Sequence, residues 1–268
     1  MMPLFRWHKF KGSYFKIALP FYGKNAPMRW IYLSPHLDDA ALSAGGWIYD
    51  QVQTGNPVEI WTFMCGFPTT TELSPFAQVF HLNWGIPAAA DVVRSRRVEE
   101  ERAAKVMGAN TQYFDFLDCI YRQNEKGEWL YHGIFVDPHP EEVDLPARMA
   151  AAISARLKPD DELVCQFGVG LHVDHILVRR AAELLGRPLH YVADIPYLFN
   201  TPEHLPPHTA GMKEKVETVS EAGIRSWVEA VEQYESQISS LFDGVEQMRE
   251  KIRTYCSENG GIRFWMRA

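Results

Sequence analysis

A short polar turn early in the chain carries residue types that can bind a metal ion. Within the stretch PHLDD, His36, Asp38 and Asp39 stand between an apolar run, RWIYLS, and an alanine-rich run. Imidazole nitrogens and carboxylate oxygens are the ligands of hydrolytic zinc sites, which leave a further position to water. His36 and Asp39 can point the same way across a tight turn into a helix. Asp38 would then serve as the general base for an attacking water.

A second polar cluster stands in the stretch GLHVDHILV, which also separates a strand-like run from a helix-like run. Because the C-terminal ends of parallel strands meet at one edge of an α/β sheet, we expect the two clusters to form one site. His175 would supply the third metal ligand. His172 could stabilise the oxyanion of a reacting carbonyl, and Asp174 could fix the tautomer of His172. The predicted metal is Zn2+, with Fe2+ as the alternative.

The segments around the clusters alternate between strand-like and helix-like patterns. RWIYLS predicts a buried strand, a helical pattern follows as far as Gly55, and PVEIWTFMCG predicts the next strand. Because strand–helix–strand units build parallel sheets, the sequence predicts a Rossmann-like α/β fold, a mostly parallel sheet with helices on both faces. We expect one domain over residues 1–268, with a core at about 29–198 and C-terminal helices at about 213–257.

Three further segments carry local signals. The proline-rich residues 200–212 predict a loop over the sheet edge, and the turn signal at 124–127 predicts a hairpin or a projecting loop. The basic and aromatic stretch 1–24 is expected to pack on the domain as an arm, with contact to a membrane surface as the alternative.

The composition narrows the function classes. The 268 residues carry a net charge of -7 at pH 7, which argues against a general nucleic-acid binder. No run reaches the roughly 18 apolar residues of a membrane span, so no transmembrane segment is predicted. The four cysteines show no disulfide or zinc-site spacing, which favours a reducing compartment. We therefore expect a cytoplasmic protein with a small-molecule substrate, and the sequence leaves its oligomeric state open.

The two clusters and the charged helix between them resemble a known family. SPHLDDA resembles the H-P-D-D-E signature of the PIG-L or LmbE-like zinc-dependent N-deacetylases. HVDH resembles the later H-x-D-H motif of that family, and RRVEEERAAKVMGA resembles its R-x-x-E helix. The likeness spans about residues 29–198, and YESQ in the tail is also similar. The resemblance implies a Rossmann-like fold and the removal of acetyl groups from N-acetylglucosamine-containing substrates.

The resemblance also implies a role for each matching residue. It implies zinc binding by three of them: His36, Asp39 and His175. It implies that Asp38 is the general base and that His172 stabilises the oxyanion, with Asp174 supporting His172. Arg96, the first residue of RRVE, matches the arginine that contacts the substrate.

Two positions depart from the family signature. Leu37 stands where the signature has proline, which affects the stiffness of the turn. Ala40 stands where it has glutamate. If that glutamate braces the metal loop in other members, the loop of this chain is braced differently or held less tightly.

The sequence is also compatible with other functions. Two histidines and one carboxylate also describe the facial triad of non-haem iron oxygenases. A non-catalytic sugar-binding protein could keep the same fold. Residue by residue, Asp38, Asp39 or Asp174 could simply cap the following helix, and Arg96 could belong to a solvated helix face.

Overall fold

Seven strands form one mixed sheet in the computed structural model, which describes residues 5–10, 13–18 and 27–268. The strands are β1 (Phe5–Phe10), β2 (Ser13–Ala18), β3 (Trp30–Ser34), β4 (Val58–Thr62), β5 (Asn110–Tyr113), β6 (Glu162–Gln166), β7 (Leu189–Val192), β8 (Met212–Glu217) and β9 (Ile262–Arg267). The α-helices are α1 (Asp39–Gln53), α2 (Pro75–Trp84), α3 (Ala89–Met107), α4 (Leu145–Ser154), α5 (Val173–Leu184), α6 (Tyr197–Asn200), α7 (Leu205–Thr209), α8 (Glu221–Glu232), α9 (Glu235–Leu241) and α10 (Val245–Asn259). β1 and β2 form a separate antiparallel pair, and β3 to β9 form the sheet.

The order of the strands creates a crevice beside β3. The order is β5-β4-β3-β6-β7-β9-β8. The first five strands are parallel, and β9 pairs antiparallel with both of its neighbours. From β3 the chain builds outward through β4 and β5, and then returns to place β6 on the other side of β3. The strand order therefore reverses between β3 and β6, which is where open α/β sheets bind ligands.

Helices cover both faces of the sheet, which explains why its central strands are mostly apolar. In β3, Ile31 and Leu33 pack into one buried cluster with residues of α4 and α5. Tyr32 packs into the other cluster, with residues of α1 and α8. Strands that are buried on both faces read as continuous apolar runs. The predicted Rossmann-like α/β fold, with a mostly parallel sheet between helices, is confirmed.

The C-terminal part differs from the prediction of helices over residues 213–257. Met212–Glu217 forms the edge strand β8, and the helices begin only at Glu221. The run KEKVE is charged and exposed, which suits an edge strand because charges there discourage pairing with another chain. Its partner β9 was not predicted either. The proline-rich residues 200–212 contain short helical turns, including α7, rather than a plain loop.

The remaining local predictions have mixed outcomes. The turn at 124–127 is confirmed, since Gln123 and Trp129 pair across it. The predicted arm falls on residues 1–24, whose side chains lie outside the described part of the chain, so its packing stays a prediction. Within the described residues, none of the helices combines the length and the apolar character that a bilayer crossing needs.

Candidate metal centre and active site

The turn after β3 is held by hydrogen bonds on both sides of His36. Ser34, the last residue of β3, donates its hydroxyl to the carbonyl oxygen of His36 at 2.8 Å. The His36 N–H donates to Asp39 Oδ2 at 2.8 Å. The Met64 N–H donates to the carbonyl oxygen of Pro35 at 2.9 Å and ties the turn to the segment after β4. The turn is therefore fixed at the edge of the sheet.

Asp38 has a backbone conformation that residues other than glycine rarely adopt. Its φ is 141° and its ψ is -31°. It stands at the N-cap position of α1 but makes no capping hydrogen bond. Instead, the Arg96 guanidinium lies 3.2 Å from Asp38 Oδ2 and donates to the carbonyl oxygen of Leu37 at 2.9 Å. Ala40, which stands where the family signature has glutamate, is buried and has no polar side chain to brace the turn. In this chain, Arg96 braces the turn from α3 through its contacts with Leu37 and Asp38.

Donor atoms of the three predicted metal ligands form a triangle with equal sides. His36 Nδ1, Asp39 Oδ2 and His175 Nε2 lie 3.3 Å from one another. A tetrahedral zinc ion with ligand bonds of about 2.0–2.1 Å requires about 3.3–3.4 Å between neighbouring ligand atoms. The three side chains therefore fit a zinc ion as they stand. The same ligand types also suit ferrous iron.

Both histidines of the triangle are oriented by a carboxylate on their other ring nitrogen. His175 Nδ1 lies 2.7 Å from Asp194 Oδ1, and His36 Nε2 lies 3.1 Å from Asp174 Oδ2. Asp194 is itself fixed by the N–H groups of Gly168 and Val169 at 3.1 and 2.8 Å. Carboxylate–histidine pairs of this kind set the tautomer that leaves the opposite nitrogen free to bind a metal.

The contacts of Asp174 differ from the prediction that it supports His172. Its carboxylate contacts His36, accepts the Cys119 N–H at 3.0 Å and lies 2.6 Å from the Arg122 guanidinium. Only the backbone N–H of Asp174 meets His172, donating to its Nδ1 at 3.2 Å. The side chain at 174 points into the fold because it lies in the first turn of α5, which begins at Val173 after the N-cap residue His172. Asp174 therefore orients a candidate metal ligand.

Other combinations of donors also come together around His36. One donor atom each from His36, His172 and His175 lies within 4.8 Å of the others, and so does one each from His36, Asp118 and Asp174. The second set is less suited to a metal, because His36 Nε2, the cation Arg122 and the Cys119 N–H already occupy the Asp174 carboxylate. The equal-sided triangle is therefore the arrangement best suited to a metal ion.

The electrostatics of the triangle favour a cation. Burial lowers the pKa of His36, but Asp174 and Asp39 outweigh it and hold that pKa well above its usual value. Burial likewise lowers the pKa of His175, and Asp39 and Asp194 outweigh it. In the opposite direction, burial raises the pKa of Asp39, but His175 and His36 hold it below its usual value. The carboxylates around the two rings thus favour positive charge between them.

His172 is held as a neutral hydrogen-bond donor. Its Nδ1 accepts the Asp174 N–H, so the proton of a neutral ring must sit on Nε2. Burial, followed by the neighbouring rings of His36 and His175, keeps the pKa of His172 well below its usual value. His172 also lines the cavity described next. Its Nε2–H is therefore the group that could meet a ligand oxygen.

Asp38 combines burial with a nearby cation. Burial raises the pKa of Asp38 to about 7, although Arg96 acts in the opposite direction. A carboxyl group with a pKa near neutrality is suited to take up and release a proton at physiological pH. Arg96 itself is buried and stacks near the Trp84 ring, 5.6 Å from its centre, so it does not lie on a solvated helix face.

A cavity of about 570 Å³ opens onto these groups. Its lining includes His36, Asp38, Asp39, Arg96 and His172. Aromatic side chains form much of the remaining wall: Phe80, Trp84, Phe135 and Tyr197. This volume lies in the range of small-molecule sites, which are mostly apolar with a few placed polar groups. The cavity therefore has the size and the chemistry of a substrate pocket.

Two acidic residues of the site are not among the predicted metal-binding, catalytic or substrate-binding residues. Asp118 lines the cavity, and its Oδ2 lies 3.8 Å from His36 Nε2. Asp194 holds His175, as described above. Both aspartates follow parallel strands, β5 and β7, so their strand-end positions were the available signal. That signal could place the two aspartates at the correct edge of the sheet, but it could not show which side chains they contact.

The fold and the site are those of an α/β protein with a two-histidine, one-carboxylate centre at the edge of a parallel sheet. The chain matches the family described as PIG-L: GlcNAc-PI de-N-acetylase over residues 31–185, which is more than half of its length. It belongs to this family, and the resemblance found in the sequence is confirmed. No match was found among curated protein sequences.

Solved structures of deacetylases are similar over nearly the whole chain. The zinc-inhibited form of teicoplanin deacetylase Orf2 is 27% identical, with a TM-score of 0.74, over 89% of this chain and 97% of that one. A40926 pseudoaglycone deacetylase Dbv21 is also 27% identical, with a TM-score of 0.69, over 89% and 96%. GalB, a 4-carboxy-2-hydroxymuconate hydratase from Pseudomonas putida KT2440, shares the fold alone, at 14% identity and a TM-score of 0.54 over 90% and 95%. Because the fold also carries a hydratase, the reaction must be argued from the site.

Proposed function

We propose that this protein is a metal-dependent N-deacetylase, which removes an acetyl group from an N-acetylated amino sugar or its conjugate. The observation that carries the proposal is the equal-sided triangle of His36, Asp39 and His175 beside Asp38 and His172 in one cavity. Membership of the PIG-L family supports it, as does the similarity to teicoplanin deacetylase Orf2 and to A40926 pseudoaglycone deacetylase Dbv21.

The metal of this proposal is zinc, held by His36, Asp39 and His175. The spacing of their donor atoms and the carboxylates behind both rings support this assignment. A zinc ion there would polarise the acetyl carbonyl and lower the pKa of a water molecule to about 7. Asp194 and Asp174 keep the two imidazole rings oriented toward it.

The remaining groups handle protons and charge. Asp38 accepts a proton from the attacking water, and once protonated it can pass that proton to the departing amine nitrogen. Arg96 holds the Asp38 carboxylate in place. The Nε2–H of His172 donates a hydrogen bond to the carbonyl oxygen as negative charge develops on it. Asp174 contributes indirectly, because it orients His36.

The aromatic walls of the cavity bear on the substrate class. Trp84 and Phe135 line the same cavity as the catalytic groups, and Phe135 is more than half exposed. Aromatic faces suit sugar rings and apolar groups. We therefore favour an amino-sugar conjugate over a free amino sugar.

The alternatives fit the geometry less well. A non-catalytic sugar-binding protein has no need of a strained Asp38, and such strain is typical of functional sites. An iron oxygenase could use the same metal ligands, but its chemistry would leave Asp38 without a role. The single domain over residues 1–268 and the cytoplasmic location stay predictions.

Metal content tests the first step of the proposal. We expect about one zinc ion per chain in protein purified without added metal, and almost none in His175→Ala, measured by plasma mass spectrometry. The matched control is His132→Ala, which removes an exposed histidine. Equal metal in His175→Ala and the wild type would contradict the site. Release of free amine from a panel of N-acetylglucosamine glycosides then tests the reaction.

A further inference from the structure

Two buried glutamates of α3 hold the segment YESQ, residues 234–237, against the wall of the cavity. Glu100 accepts the hydroxyl of Tyr234. Glu99 accepts both the N–H and the hydroxyl of Ser236, at 2.9 and 2.7 Å. Both carboxylates are almost fully buried. The start of α9 is therefore fixed to α3 by side chains that the proposed chemistry does not use.

These hydrogen bonds determine which end of the Gln237 amide faces the cavity. The single hydroxyl proton of Ser236 goes to Glu99, so Ser236 Oγ can only accept a further hydrogen bond. Gln237 therefore presents its nitrogen to Ser236 Oγ, at 2.8 Å. Its oxygen Oε1 then points away from Ser236. Because Gln237 is 6% exposed and lines the cavity, this oxygen is an acceptor available to a bound ligand.

The same helix supplies a donor to the cavity. Arg96 lies one turn before Glu99 on α3, and it also lines the cavity. Thus α3 places Arg96 directly and places Gln237 through Ser236. A carbonyl oxygen such as Gln237 Oε1 attracts hydroxyl groups and repels the acetyl oxygen of the substrate.

We propose that Gln237 Oε1 accepts a hydrogen bond from a hydroxyl group of the substrate sugar, and that Ser236 and Glu99 are its positioning residues. This inference rests on the proposed function, since it names the group that recognises the sugar. A buried acceptor built for a hydroxyl disfavours analogues that lack it, because the acceptor is then left unpaired. We expect a loss of about tenfold in kcat/KM, at the scale of one neutral hydrogen bond.

The test combines variants with deoxy substrates. Gln237→Met has a similar length without the acceptor, Ser236→Ala releases the amide, and Ser239→Ala is a matched control on the exposed side of α9. The probes are 4-nitrophenyl N-acetylglucosaminide and its 3-, 4- and 6-deoxy forms. We expect wild type and Ser239→Ala to lose about tenfold in kcat/KM on one deoxy form. On the parent glycoside, Gln237→Met should lose about tenfold in kcat/KM relative to the wild type. On that one deoxy form, Gln237→Met should lose nothing further, because the hydroxyl and its acceptor are both missing. Ser236→Ala should change kcat/KM in the same direction.

The outcomes separate this inference from the proposed function. A Gln237→Met variant that hydrolyses all four probes as the wild type does would overturn the role of Gln237 and leave the deacetylase intact. Binding of the same glycosides, measured by calorimetry, covers the opposite case. If the wild type binds the glycosides without hydrolysing them, and Gln237→Met weakens binding only of those that carry the same hydroxyl, the role of Gln237 is upheld and deacetylation is overturned. A wild type that neither binds nor hydrolyses any probe overturns both. A purely structural role would lower activity on all probes equally.

Discussion

Replacing the proposed base by its amide, Asp38→Asn, should separate catalysis from metal binding. Asparagine has the shape of the aspartate that adopts a φ of 141° at this position, and both residues are among those enriched at positive φ. Its side-chain oxygen can still accept the hydrogen bond from Arg96 that Asp38 accepts at 3.2 Å. The triangle of His36, Asp39 and His175 is not altered by the change. The variant should therefore fold and bind metal.

Asp38→Asn should instead lower the rate of amide hydrolysis. An amide cannot take the proton of the attacking water, and a positioned general base contributes about 10² to 10⁴-fold. That factor corresponds to about 2.7–5.5 kcal/mol of transition-state stabilisation. The free energy of unfolding should change by no more than about 1 kcal/mol, because burial already disfavours the charged form of Asp38.

The assay follows the amine released from an N-acetylglucosamine conjugate, together with metal per chain and urea unfolding. The matched control is Asp115→Asn, since the Asp115 side chain is almost fully exposed. We expect wild-type turnover in the control and a loss of at least about a hundredfold in Asp38→Asn at full metal content. Turnover of the metal-loaded Asp38→Asn variant within a few-fold of the wild type would refute the reasoning.

Two further predictions concern carboxylates behind the site. Asp194→Asn replaces the charged acceptor that lies 2.7 Å from His175 Nδ1, so the Kd for zinc should rise about 10–100-fold in a chelator competition. The control Asp160→Asn changes an exposed residue and should leave the Kd unchanged. An unaltered Kd in Asp194→Asn would count against the triangle as the metal site. Burial raises the pKa of Glu100 from 4.5 to about 7, so its contribution to stability is full below pH 4.5 and is lost as pH rises through 7. Glu100→Gln should therefore gain up to about 3 kcal/mol over the wild type in urea unfolding between pH 4.5 and pH 8, and a difference that does not vary with pH would contradict this.

The positions of both polar clusters could be predicted because strand ends carry a strong local signal. His36 and His175 each follow an apolar run that could only be a buried strand, and parallel strands end at the same edge. Their approach to 3.3 Å also required β3 and β6 to be neighbours. The alternation of strands and helices does not specify neighbours by itself. The common edge of parallel strands supplied the expectation that the two clusters meet, and the family motifs agreed with it.

The C-terminal strands could not be predicted for a different reason. The run KEKVE in β8 carries no apolar periodicity. β8 is an edge strand with one partner, and its exposed side chains do not have to be apolar. β9 pairs with β7 through Tyr191 and Trp265, a contact between segments that are distant in the chain. Local propensity contains no information on such a partner.

The contacts of Asp174 show the limit most clearly, because its backbone N–H meets His172 whereas its carboxylate meets His36. Asp174 was assigned to His172 because the two residues are neighbours in the motif HVDH. In the fold, the first turn of α5 directs the two side chains differently, so that Asp174 reaches His36, which lies 138 positions earlier. Arg122 then reaches Asp174 from a third segment. A motif thus identifies which residue types meet at a site, but the pairing within the site is a property of the packed sheet. Substitutions behind the candidate metal ligands should therefore be chosen from the contacts of the fold rather than from the spacing of the motif.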